Sequence, residues 1–168
     1  MVWHGRLSSV GGISIGGIAA MAFVIYHKLN VRVVGDVVAR ALPVGWIIAR
    51  FGCYLTHMHP GINSRMWFAV AYPDGQRLDL GLLEFVTWIV IGAILWTMPR
   101  PKKEGAYLAF IALLYAPPRF LLDFFRARDS MVPDMRYGGL TPAQYGMIAL
   151  FGVGCYFYYR VTYDAKRT

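Results

Sequence analysis

Charge is what this chain has least of. Asp, Glu, Lys and Arg make up 15% of its 168 residues, while 57% are hydrophobic and mean hydropathy is +0.45. A soluble globular domain carries about 25% charged residues. The shortage excludes a disordered chain, an ordinary cytosolic domain and a nucleic-acid binder built on a hydrophilic surface. Acidic residues are scarcest, 9 against 17 Lys and Arg, which leaves a formal charge of +8. With nucleic acid set aside, that excess suits cytoplasmic loops and anionic lipid headgroups. Cysteine is nearly absent as well. Cys53 and Cys155 fall in different apolar segments and neither belongs to a C-x-x-C pair, so no disulfide between them is expected. The alternating pattern of a membrane barrel is missing, as are low-complexity runs and internal repeats. No basic region with a small-residue cleavage site marks the first apolar run, which therefore reads as a permanent span.

What is present is a set of long apolar runs. A spanning helix needs roughly 17–25 mainly apolar residues. Residues 7–26 and 141–159 are uncharged, residues 80–98 carry Glu84 alone, and residues 37–55 carry Arg40 and Arg50. Residues 106–122 are interrupted by Pro117, Pro118 and Arg119. The expected fold is all-α: one polytopic membrane helical bundle over residues 1–168, with about five transmembrane helices. Tyr72-Pro73-Asp74-Gly75 reads as a turn, Pro99 to Lys103 ends the third run, and Pro133 with Gly138-Gly139 lies in the loop before the fifth. Lys28, Arg32, Arg100, Lys102, Lys103, Arg160, Lys166 and Arg167 outnumber Arg6, Arg65, Arg77, Arg126, Arg128 and Arg136 on the other side. That bias puts the C-terminus in the cytoplasm and the N-terminus outside.

Ionisable residues inside a span cost a few kcal/mol and are functional candidates by default. Arg50 and Arg119 close the second and fourth runs, so both reach the outer side at one depth. Guanidinium grips phosphate bidentately, and a phospholipid is the abundant phosphate there. Equally open at this point is that both side chains snorkel, or pair with Glu84 and Asp123; Asp123 follows Arg119 by four residues, on the same helix face. Gly12 and Gly16 form a small-xxx-small pattern that suits close helix packing, with headgroup access as the sharper reading. His57-Met58-His59 has no further metal ligands nearby in the sequence. Trp3, Trp67, Tyr72, Tyr156, Tyr158 and Tyr159 suit an interfacial belt.

Several stretches together resemble a known family. Ser8-Ser9-Val10-Gly11-Gly12, Leu42-Pro43-Val44-Gly45 leading to Ala49-Arg50-Phe51-Gly52, Trp67 to Pro73, and Leu82-Leu83-Glu84 occur in order and at matching spacing. The strongest are Tyr115-Ala116-Pro117-Pro118-Arg119-Phe120-Leu121-Leu122-Asp123-Phe124-Phe125-Arg126 and Leu140-Thr141-Pro142-Ala143-Gln144. Their colinearity is similar to that of the bacterial prolipoprotein diacylglyceryl transferases. The resemblance implies an all-helical, multi-pass inner-membrane protein matching the C-terminal part of the family pattern, a divergent and N-terminally shortened member. It implies transfer of diacylglyceryl from phosphatidylglycerol to the lipobox cysteine of a preprolipoprotein, with glycerol phosphate released and no metal or cofactor needed. Arg50, Arg119 and Tyr115 match the family's catalytic positions. Gly11, Gly12, Gly52, Gly61, Glu84, Asp123, Arg126 and Gln144 match the substrate-binding set, with Asp123 standing where the family has glutamate.

The departures fall on the general base and the polar lining. Val10 stands where the family has histidine, Cys53 where it has asparagine, and Thr56 and Met58 where it has asparagine and glutamate. Leu78 to Glu84 keeps only a leucine and the glutamate of a polar stretch. His57 or His59 could take the place of the absent histidine. Two functions follow: a divergent transferase, or an inactive relative that binds phospholipid as a structural subunit among other membrane subunits.

Overall fold

The computed structural model describes residues 9–99, 101, 103–127 and 136–166. Five long helices form: α1 (Ser9–Tyr26), α2 (Val31–Leu55), α3 (Leu80–Thr97), α4 (Ala106–Leu122) and α5 (Pro142–Lys166). Each coincides with one of the five apolar runs. α2 starts six residues before its run because Asn30 caps it, its side chain accepting from Arg32 N. Two segments, α3 and Ala106–Phe125, are long and apolar enough to cross a membrane by length and composition. Of the residues used to orient the chain, Arg6, Arg100, Lys102, Arg128 and Arg167 lie outside the described ones.

The all-α expectation needs one correction. Between α2 and α3 the chain forms a three-stranded antiparallel sheet from β1 (Pro60–Asn63), β2 (Val70–Tyr72) and β3 (Gly75–Asp79), in the order β1-β3-β2. The expected turn at Pro73-Asp74 is the β2–β3 hairpin, with Tyr72 opposite Gly75. Gly75 takes φ +131°, which a side chain would resist. The strands leave no periodic signal in the sequence because each is three to five residues long. So short a sheet stands only because a helix bundle supports it.

α3 lies between α2 and α4. Its apolar residues run round the whole helix, as burial on several sides requires. Trp88, Ile91 and Leu95 of α3 pack with Ala39 of α2 and with Tyr107 and Ile111 of α4. α4 and α5 approach closely at Gly154, where a Cβ would stand 3.1 Å from Ala112 Cβ. Gly16 and Gly17 are different: a Cβ on either would meet no described atom within 4 Å. The expected close packing at this end of α1 is therefore not made within the described chain. Outward faces keep large apolar side chains exposed, including Ile18, Ile48, Val90, Leu121 and Tyr159. Such a surface suits hydrocarbon better than water.

One charged residue ties α2 to α4. Asp36 accepts from Gly105 N at 2.7 Å and Leu108 N at 3.0 Å, satisfying two of the N–H groups that open α4. Asp36→Ala should lower unfolding free energy in detergent micelles by about 1–2 kcal/mol, while Asp36→Asn should keep most of it. Equal stability of all three proteins would refute this role.

Candidate functional site

The site grows from one buried carboxylate. Glu84 sits in the first two turns of α3, its side chain 7% exposed. A lone carboxylate at that burial would be costly, so it needs partners. Arg50, near the end of α2, brings Nε to 2.9 Å from Glu84 Oε2. Arg119, near the end of α4, brings Nε to 3.5 Å from Oε1. Two guanidiniums from separate helices thus face each other across a single carboxylate. The pairing with Glu84 and Asp123 expected from the sequence is made, and it brings the two arginines to one place.

Arg50 is the less committed of the two. Its N–H groups do not line up with Glu84 Oε2, which stays without a hydrogen bond despite the short ion pair. Its one hydrogen bond among the described residues is a weak one to Cys53 Sγ at 3.9 Å. A guanidinium 20% exposed with most donors unspent is ready for an acidic ligand. Arg119 is held harder: Nη1 donates to Asp123 Oδ1 at 3.0 Å, and that oxygen also faces Arg126 Nη1 at 3.7 Å.

Asp123 is fully buried where α4 tightens into a single 3-10 turn (Asp123–Phe125). Its second oxygen accepts from the Thr141 hydroxyl. Thr141 and Gln144 form a reciprocal cap on α5: Gln144 N donates to Thr141 Oγ1 and Thr141 N to Gln144 Oε1. Gln144 Nε2 then donates to Phe120 O at the end of α4. Gln144 is thus wholly buried and occupied with holding α4 to α5. Thr141, absent from the expected site set, links that brace to Asp123. Its signal was legible, because Thr-Pro-Ala-Gln before an apolar run is a helix-opening pattern.

The other expected residues divide. Tyr115 packs its ring against Trp88, tilted by 33° with centroids 4.6 Å apart, and lies in the field of Glu84, Arg119 and Arg50. Gly61 is a packing residue: a Cβ there would stand 2.7 Å from Leu78 O and 2.8 Å from Phe125 O, so only glycine lets β1 touch the segment carrying Arg126. Its backbone pairs with that of Arg126. Gly52 is exposed, with no described atom near a would-be Cβ. Gly11 and Gly12 fall in the first turn of α1, and their surroundings lie outside the described residues.

Two histidines border the cluster. His59, half-buried just before β1, is held below the ordinary imidazole value of 6.5 first by burial and then by Arg50, Arg126 and Arg119; Asp79 pulls the other way. His57 Nδ1 lies 3.1 Å from Asp79 Oδ2, which also accepts from the Tyr72 hydroxyl at 2.7 Å. Burial and that bond push the Tyr72 phenol well above its ordinary value, so it stays a donor. Asp79 Oδ1 accepts from Leu82 N and caps α3.

The His59 environment has a sign. Its proton is disfavoured in the fold but not in the unfolded chain, so the unfolded chain binds protons better as pH falls. The associated stability is present above about pH 6.5 and is lost as pH drops from there through the lowered folded value. Unfolding free energy in detergent should therefore fall from pH 7 to pH 5, and His59→Gln should flatten the fall. Parallel pH profiles for both proteins would refute the assignment.

Comparison with known proteins gives one answer. Residues 1–160 match the family described as prolipoprotein diacylglyceryl transferase. A phosphatidylglycerol–prolipoprotein diacylglyceryl transferase of Nitratidesulfovibrio vulgaris (strain Miyazaki F) is 29% identical over 160 residues, which is 91% of this chain and 60% of that protein. One from Chromohalobacter salexigens is 32% identical over 148 residues, covering 85% of this chain and 55% of the relative. One from Mannheimia succiniciproducens is 34% identical over 137 residues, covering 78% and 51%. The matches thus span between half and two thirds of these relatives' own length. No solved structure matches the chain. With the family match running over nearly its whole length, the chain belongs to the prolipoprotein diacylglyceryl transferase family.

Proposed function

We propose that the protein holds the phosphate of phosphatidylglycerol between Arg50 and Arg119 and transfers the diacylglyceryl group to the thiol of a prolipoprotein. The observation that carries this reading is Arg50: a largely buried guanidinium, opposite a second one, whose one hydrogen bond among the described residues is the weak one to Cys53. A phosphodiester there would accept bidentate bonds from the N–H groups that Cys53 leaves over. As the glycerol carbon–oxygen bond breaks, charge grows on the departing phosphate oxygen, and fixed guanidiniums stabilise it without reorganising. Arg50 and Arg119 are the catalytic pair, and Tyr115 lines their approach. Glu84 sets the separation of the arginines and offers Oε2 as an acceptor for a headgroup hydroxyl. Asp123, Arg126, Gln144 and Gly61 are positioning residues, and the exposed Gly52 leaves room for a lipid beside α2. No metal or cofactor takes part. The setting is the bacterial inner membrane, crossed by five helices from an external N-terminus to a cytoplasmic C-terminus.

A second reading is favoured by Cys53, Thr56 and Met58, which replace polar residues of the family pattern beside the arginines. On that reading the clamp holds phospholipid as a structural element of a membrane complex and no transfer occurs.

One assay separates them. The full chain is placed in vesicles of phosphatidylglycerol with a peptide carrying a lipobox cysteine, and the peptide's mass gain is followed. Transfer is expected, with Arg50→Ala and Arg119→Ala each lowering kcat/KM about 10²–10³-fold. Arg119→Lys should fail as well, because a point charge cannot replace the planar fork. Folded protein that retains phosphatidylglycerol but leaves the peptide unchanged would establish the structural reading instead.

A further inference from the structure

The corner between α2 and β1 contains a device that phosphate binding does not use. α2 ends in a tight reversal in which Met58 N bonds to Cys53 O and His57 N to Tyr54 O. The residue that turns this motif adopts a left-handed backbone, and glycine usually fills it. Here it is His57, at φ +50°. Lys28 turns the end of α1 in the same way at φ +53°, so what singles out His57 is not the backbone but its partners.

Its surroundings name the use. The Asp79 side chain is fully buried while the His57 side chain is 44% exposed. A carboxylate oxygen only accepts, and Asp79 Oδ2 already takes the Tyr72 hydroxyl, so the 3.1 Å contact puts the His57 proton on Nδ1. Nε2 is then the proton-accepting nitrogen, and it has no partner among the described residues. Asp79 cannot turn away, since its other oxygen caps α3. A buried acid that fixes the tautomer of an imidazole with a free second nitrogen is the arrangement of a general base.

The position suits the reaction. A Cβ on Gly81 would stand 2.9 Å from Tyr54 N, so the start of α3 is pressed against the end of α2. The dyad, Arg50 and Glu84 therefore gather at these two helix ends, and Arg119 joins them from the end of α4 through Glu84. His57 lies seven residues beyond Arg50 and two beyond Leu55, the last residue of α2.

We propose that His57, oriented by Asp79 and Tyr72, takes the proton from the acceptor thiol, an assignment that rests on the transfer reading above. The thiol S–H proton goes to His57 Nε2. The thiolate sulfur bonds to the glycerol carbon bearing the phosphate, and the carbon–oxygen bond breaks with its electron pair on the oxygen of the leaving glycerol phosphate. The imidazolium then returns its proton to solvent.

The glycine preference of this turn makes the test sharp. His57→Gly should fold at least as stably as the wild type, because it relieves the left-handed position. It should nonetheless lower kcat about 10²–10⁴-fold with KM for phosphatidylglycerol within about twofold, and added imidazole should restore rate. Asp79→Asn, which still caps α3 but no longer dictates the tautomer, should lower kcat at unchanged lipid KM. Imidazole should not rescue Arg119→Ala. An active wild type whose His57→Gly variant keeps its rate, or loses it without imidazole rescue while folded, overturns the role of His57 and leaves the transfer reading standing. A folded wild type that transfers nothing overturns both.

Discussion

Glu84 is the interaction on which the rest of the site depends. Two arginines from different helices would repel each other if brought together alone, and a single buried carboxylate between them removes that obstacle. The arrangement is not a strong source of stability, because desolvating three charged groups offsets much of their attraction. Its effect is positional. Loss of the carboxylate would leave two facing guanidiniums uncompensated, whereas its presence holds α2, α3 and α4 at one separation. Binding energy for an anion is then not spent on gathering the cations.

The surrounding fold is arranged to keep that geometry. Asp123 restrains Arg119, Thr141 restrains Asp123, and the Thr141–Gln144 cap binds the end of α4 to the start of α5. At the opposite end of α4, Asp36 fixes its first turn to α2. α4 is therefore pinned at both ends, and Arg119 inherits a fixed position. The small sheet acts in a related way. Gly61 lets β1 close onto the Arg126 segment, while the end of β3 supplies Asp79 to the turn that carries His57. Rigid supports of this kind matter because a misplacement of about 1 Å can cost 10²-fold in rate.

Much of this was readable along the chain. Long apolar runs with few charges located all five helices, and the charges inside them pointed to Arg50, Arg119 and Glu84. The four-residue step from Arg119 to Asp123 anticipated their ion pair. Other parts were not readable. The strands are too short for a periodic signal, so the sheet was missed. That Gln144, matched to a binding position, also braces α4 against α5 depends on a contact with Phe120 that spacing does not show. The Gly12–Gly16 spacing promised helix packing, but Gly16 meets no described neighbour.

The sequence by itself determined the solvent, the helices and the identity of the buried charges. Those are local quantities, since hydropathy and spacing are summed over neighbours along the chain. It also determined the family, through motifs kept in order. Only the tertiary structure decided which charges meet. Arg50, Glu84 and Arg119 are far apart in sequence, and His57 and Asp79 are separated by the whole sheet; what joins them is the packing of helix ends and the exclusion of water there. A guanidinium's remaining donors and an imidazole's tautomer depend on which acceptors stand within about 3 Å, and that is a property of the folded chain alone.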